Sequence, residues 1–166
     1  MIAEFCKWLQ GTGPSLFIQN TAWVVPATQT IHILGISVVL ATMAMLDLRM
    51  LGWAGRHHPV NSLAARFLPA VWVALIVLAL TGAILIVGEP ERELLNNAFR
   101  LKMVLVAAAA VILGFVQSTL KEGENFWSLT PGRQALARVI GISSLSIWLV
   151  IAVCGRWIAY VEQVAS

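Results

Sequence analysis

Apolar residues run along this chain in four long stretches separated by short polar segments. Thr21 to Leu46 carries one ionisable group, His32, and Leu68 to Gly88 carries none. The third stretch, from Leu101 to Leu120, holds only Lys102, and the fourth, from Val139 to Ile158, holds only Arg156 near its end. Crossing a bilayer core takes roughly 20 predominantly apolar helical residues, because no water inside the core can satisfy an unpaired backbone group. The pattern therefore predicts an all-α fold, a polytopic membrane four-helix bundle. It forms one membrane domain over 1–166 with spans at about 21–46, 68–88, 101–120 and 139–158.

The first 20 residues follow a different rule. Ile2, Phe5, Cys6 and Leu9 recur at helical spacing, with Glu4, Lys7 and Gln10 on the other side. That alternation predicts a short helix over about 2–10 lying in the membrane interface. The segment lacks the unbroken apolar run of a secretory signal and is expected to stay on the chain. Gly11-Thr12-Gly13-Pro14 should end this helix, and Ser15 can cap a new one running toward Pro26. A proline there lacks the amide proton for the Ala22 carbonyl, so Pro26 is expected to kink or break the start of span one.

Composition sharpens the class. Apolar residues make up 59% of the chain and charged residues 11%, against about 25% charged in an ordinary soluble domain. A soluble globular protein and a disordered chain are both excluded. The 11 Lys and Arg are scattered against 8 acids, which excludes the basic face of a nucleic-acid binder. Basic residues in short loops set orientation. Arg49, Arg56, Arg66, Lys121, Arg133 and Arg138 fall on one side, while Lys7 and Arg92 remain on the other once Arg100, Lys102 and Arg156 are assigned to span ends. That bias predicts an inner (cytoplasmic) bacterial membrane protein with both termini periplasmic. Trp23, Trp53, Trp127, Trp157 and Tyr160 lie near predicted span ends, as interfacial anchors should.

A charged group deep in a bilayer costs at least about 2.5 kcal/mol, so each one calls for a reason. His32 lies about 16 Å into span one at 1.5 Å per residue, with Thr28 and Gln29 one turn before it and Gly35 one turn after on the same face. A neutral imidazole offers a lone pair to a metal or to haem iron; equally, a buried histidine can simply bond a backbone carbonyl or a Thr hydroxyl. Arg100, Lys102 and Arg156 can gather above His32 as a cationic cluster for haem propionates, a quinol headgroup or lipid phosphate; each alone can snorkel to the headgroups. Asp47 should bond a neighbouring helix end or a loop arginine. His57 and His58 are adjacent loop residues, unsuited to joint ligation. Met43, Met45, Met50 and Met103 raise copper handling, although Met43 and Met45 point to different faces. Ala79-x-x-x-Ala83 and Ala110-x-x-x-Gly114 allow close helix packing, or room for a flat cofactor if a ligand sits opposite. Cys6 and Cys154 both fall near the same membrane face, and their spacing leaves pairing open.

Several motifs together carry a resemblance. Trp23-x-x-Pro26, His32-x-Leu34-Gly35, Leu46-Asp47-Leu48-Arg49-Met50-Leu51-Gly52, Leu80-Thr81-Gly82, Asn97-Ala98-Phe99-Arg100-Leu101-Lys102 and Gly155-Arg156-Trp157-Ile158-Ala159-Tyr160 resemble a family of small four-helix bacterial membrane proteins of unassigned function. More distantly the chain is similar to the copper-resistance D family and to the bacterial membrane protoporphyrinogen oxidase. The latter resemblance implies a haem-binding site in which an early His and a third-span Lys, here His32 and Lys102, are the functional pair. The segment after span one departs from the oxidase's Pro-Arg-Leu type, which narrows the implication to a haem or metal site at His32.

One intramembrane histidine does not make a bis-histidine haem site, and the chain has no phosphate loop, HExxH, nucleophile elbow or carboxylate pair. The expectation is one b-type haem, held by His32 with Lys102, Arg100 and Arg156 around it, serving electron transfer or porphyrin or quinol oxidation. The rival expectation is a non-enzymatic accessory or scaffold subunit in a membrane complex or homo-oligomer.

Overall fold

A bilayer-spanning helix must pair its own backbone, and the chain meets that demand four times. The computed structural model describes residues 2–55 and 57–164, those from 158 onward by their backbone alone; Arg56 and the side chain of Tyr160 thus lie outside the described residues. Two short helices, α1 (Ile2–Gln10) and α2 (Gly13–Asn20), precede α3 (Val24–Met50) and α4 (Val60–Gly88). A five-residue helix α5 (Pro90–Leu94) leads to α6 (Asn97–Ser118). Two 3-10 turns, Thr119–Glu122 and Phe126–Ser128, then lead to α7 (Pro131–Val164). No strand occurs among the described residues, and four helices are long and apolar enough to cross a membrane.

The differences from the sequence pattern have local causes. Span one begins at Val24, so Pro26 falls in the first turn of α3, where a missing amide proton costs nothing; the break lies before it, at 21–23. Spans two and four each start about two turns earlier than their apolar cores, at Val60 and Pro131. Asn61 and Arg66 begin α4, and Arg133 and Arg138 begin α7, so the helical pattern runs on through polar residues outside the hydrocarbon. At the start of α6 the Asn96 side chain accepts from the Ala98 amide at 2.8 Å and caps the helix.

The short helices close one end of the bundle, called here the amino-terminal end. α1 packs on α5, and α2 lies across the end of α4. Ser15 Oγ donates to Val87 O at 2.7 Å, and Gln19 Nε2 to Gly88 O at 3.1 Å, so α2 satisfies carbonyls that the helix end leaves open. Ile2, Phe5 and Trp8 face outward from α1, about half or more exposed, while Cys6 is buried with its thiol toward Pro90 O. Of the apolar face read from the sequence, Ile2 and Phe5 point outward, joined by Trp8, while Cys6 turns inward. Cys6 and Cys154 are both free thiols.

α3 packs against α4 and α7, α7 against α6, and α4 and α6 touch sparingly. The core sits toward the loop end. Val39, Met43, Leu46 and Met50 repeat at spacings of four and three along α3, and they meet Val60, Ala64, Leu68 and Val71 of α4 and Ala109, Leu113 and Val116 of α6. Asn61 ties this end together. Its Nδ2 donates to Thr119 O at 2.8 Å and to Gly123 O at 2.5 Å, while its Oδ1 accepts from Trp127 Nε1 at 2.9 Å. Trp127 is consequently no interfacial anchor: it is 3% exposed and stacks edge-on with Phe115 and Phe126. Trp23, Trp53 and Trp157 are exposed as anchors should be.

Candidate functional site

His32 sits eight residues into α3, about 12 Å along the helix axis. Its Nδ1 lies 2.7 Å from Thr81 Oγ1 on α4, and Thr81 Oγ1 lies 2.7 Å from Val77 O in its own helix. A hydroxyl has one proton, and two oxygens at that distance need it between them. The threonine therefore donates to Val77 O and accepts from His32 Nδ1–H. This assigns the tautomer: Nδ1 carries the proton and Nε2 keeps its lone pair. The bland alternative for His32, a bond to a Thr hydroxyl, is realised at one nitrogen and leaves the other nitrogen available.

Two adjoining cavities meet at this ring. The deeper one, about 290 Å³, is walled by Ile36 and Val39 of α3, Leu75 and Leu78 of α4, Val106 of α6, and Trp148 and Ile151 of α7. The upper one, about 330 Å³ and nearer the amino-terminal end, is walled by Gln29, Leu85, Arg92, Glu93, Gly155 and Arg156. His32, Ile36, Gly82, Phe99, Lys102 and Ala152 line both. The pair thus forms one two-part site: apolar below, charged above, with the imidazole and the Lys102 ammonium at the junction.

Small residues create the room. A Cβ on Gly82 would stand 3.7 Å from His32 Cε1, and one on Gly155 would stand 3.9 Å from Lys102 Nζ. Ala79, one turn before Gly82, and Ala83, the residue after it, line the deeper cavity and are exposed. The small-residue pair on α4 thus borders the cavity. Ala110 and Gly114 on α6 behave differently, for Gly114 is exposed with open space around its Cβ direction.

The cationic cluster is rearranged. Lys102 and Arg156 line the upper cavity, but Arg100 is exposed on the far side of α6, its Nε directed at Leu94 O, and lines neither cavity. Arg92 takes its place, bonded to Glu89 at 2.5 Å. Residues 100 and 102 are neighbours in sequence yet nearly opposite on a helix. Lys102 makes no hydrogen bond or ion pair among the described residues, and Glu93 is the carboxylate whose charge reaches it. Sequence reasoning missed Thr81, Gly82 and Arg92 as site residues. Their signal, a polar residue beside a glycine one turn from small residues inside a span, becomes legible only once α4 is placed against α3.

The other polar groups lie elsewhere. Met43 and Met50 belong to the core, Met45 is exposed, and only Met103 shares the cavity with His32; no group of three or more His, Cys, Asp or Glu suited to a metal ion occurs among the described residues. His57 and His58 line a separate surface pocket at the loop end with Arg49 and Arg138. Arg56 of the loop lies outside the described residues, and Arg49 donates to His58 O at 2.6 Å rather than bonding Asp47. The Asp47 side chain turns into the α3–α7 interface toward Ser144, and Asp47 Oδ2 and Ser144 Oγ find no partner at bonding geometry among the described residues.

The fold and this site define a multi-pass helical membrane protein with a histidine-centred cavity between its spans. The chain belongs to a family of unknown function, DUF6644, whose sequence model matches residues 8–161. No curated protein and no solved structure matches it, and no link to the copper-resistance D or protoporphyrinogen oxidase families is shown.

Proposed function

We propose that this protein binds one b-type haem in the bacterial inner membrane, which His32 would hold through Nε2, and serves electron transfer or the oxidation of a porphyrin or quinol. The observation that carries the reading is the Val77–Thr81–His32 chain, which leaves a metal-competent lone pair beside a cavity lined by small residues. The residues present fit the group. A ligating histidine ordinarily donates its second N–H to an acceptor that fixes ring and tautomer, as Thr81 does here. Ala79, Gly82 and Ala83 leave space for a flat ring, the apolar walls suit its body, and Lys102 and Arg156 suit its carboxylates. Each cavity is near the lower end of the roughly 300–1,000 Å³ typical of ligand sites, and the two share six lining residues. Bound there, haem would supply one-electron chemistry; the chain's own residues hold, orient and shield it. On the basic-residue bias of the loops, the amino-terminal end faces the periplasm.

The test is an oxidised-minus-reduced absorption spectrum of purified protein supplied with haem, beside His32→Ala. A Soret and α band present in the parent and lost in the variant supports the proposal; a featureless spectrum in both overturns it. One observation favours a second reading, an accessory or scaffold subunit: the exposed Gly114 of α6, one turn from the partly exposed Ala110, is of the kind that lets a second membrane helix approach. That reading expects co-purification with a partner or a second copy, lost in Gly114→Leu and indifferent to His32→Ala.

A further inference from the structure

The two ends of the bundle are built differently. At the loop end α4 is tied to the end of α6 by the Asn61 bonds and by Trp72 Nε1, which donates to Gln117 Oε1 at 2.6 Å. In the other half no side-chain bond joins α4 to α6 among the described residues. There the residues that both helices bring to the cavity, Ala79 and Ala83 on α4 and Met103 on α6, are exposed rather than covered by a neighbouring helix. All three lie inside helices long and apolar enough to cross a membrane, where an outward-facing side chain meets acyl chain. A helix packed on α4 would have covered Ala79 and Ala83.

The chemistry inside the gap narrows what passes through it. The deeper cavity is almost wholly apolar, while its upper neighbour presents Lys102, a buried-stem ammonium with no hydrogen bond or ion pair among the described residues. Glu93 of the same cavity reaches it by charge but not by a hydrogen bond or ion pair, and an intramembrane cation is costly without a directly paired anion. A ligand that matches both parts carries an acidic head and an apolar body, and such a molecule is concentrated in the bilayer before it binds.

We propose that the His32 cavity is filled sideways from the bilayer, between the amino-terminal halves of α4 and α6, by a membrane-partitioned acidic amphiphile whose carboxylate comes to rest at Lys102. This deepens the reading above and rests on the cavity being a ligand site, although not on the ligand being haem. The ring of His32 stands at the far wall of the gap, and Ala79 and Ala83 form its sill. Met103, unbranched and exposed, is the side chain that must move aside.

The experiment uses the full chain in lipid vesicles, with Cys6→Ala and Cys154→Ala as background and a nitroxide placed at Ala83→Cys, at Met103→Cys or, as a mouth reference, at Gln29→Cys. Relaxation of each label by oxygen, which dissolves in lipid, is compared with relaxation by a water-soluble nickel chelate. Labels at 83 and 103 should respond to oxygen and hardly to nickel, with the opposite ratio at 29. Palmitate added to the vesicles should lower oxygen access at 103, and Lys102→Met should lose that effect. Nickel reaching 83 and 103 as readily as 29 would make the cavity a water-filled well and overturn the proposal, as would indifference to palmitate. Hemin absorption on the same samples separates the two ideas. A lipid-facing, palmitate-sensitive gap without a Soret band removes haem and keeps the side route; a Soret band with nickel-accessible labels does the reverse.

Discussion

Thr81→Val tests the site at its narrowest point. Valine keeps the shape of threonine and removes the hydroxyl, so the packing of α4 stays while His32 Nδ1–H loses its acceptor at 2.7 Å. Two consequences of different size follow. Interhelical hydrogen bonds in membranes are worth about 0.6 kcal/mol on average and about 1.7 at most, so the bundle should lose roughly 0.5–2 kcal/mol of stability. The effect on ligation is larger in observable terms. Loss of the group that orients a metal-binding histidine typically costs about 10–100-fold in affinity, or about 1.4–2.8 kcal/mol. Haem titration followed at the Soret band, on parent, Thr81→Val and Thr81→Ser, reads this directly. Thr81→Ser should bind like the parent because its hydroxyl can make the same two bonds; Thr81→Val should bind more weakly at nearly unchanged folding. Equal affinity in all three proteins would refute the argument that Thr81 sets the tautomer and reduce the bond to a clasp between α3 and α4.

Further variants separate the cavity from the scaffold. Gly82→Ala should fold and bind normally, because the new methyl meets His32 Cε1 at an ordinary 3.7 Å, whereas Gly82→Leu should fold and lose the Soret band by filling the space. Asn61→Ala leaves Trp127 Nε1–H and the Thr119 and Gly123 carbonyls without their partner; at about 1–3 kcal/mol for an unsatisfied buried group, denaturant titration in detergent should show a loss of about 2–4 kcal/mol, with residual folded protein still binding haem. Gly141→Ala puts a methyl 3.0 Å from Asp47 O and 3.2 Å from Met50 Cβ, so overpacking of α3 on α7 should lower stability by about 1–3 kcal/mol. Asp47→Asn replaces a buried carboxyl group whose Oδ2 has no hydrogen-bond partner among the described residues and should leave the unfolding midpoint unchanged or raised.

The number of spans, the short helix ahead of them and, to within a turn, the place of His32 in its span could be read from residue order. Each is decided locally: a helix in hydrocarbon must be long enough and apolar enough whatever it touches. Which face of each helix points inward could not be read that way. A span apolar on all sides has no polar stripe to mark its outer face, so Val39, Met43, Leu46 and Met50 look no different in sequence from the exposed Ile33, Leu34 and Val38. The same blindness placed Trp127 at the interface, set Arg100 beside Lys102, and kept Ala79 and Ala83 open between helix packing and a cofactor's space. Only the rotation of α4 against α3 brings Thr81 to His32 across 49 residues of chain, and only the splay between α4 and α6 turns their small and flexible side chains into the walls of a cavity. Bilayer physics settled the elements one by one; the site exists because pairwise packing settled how they face each other.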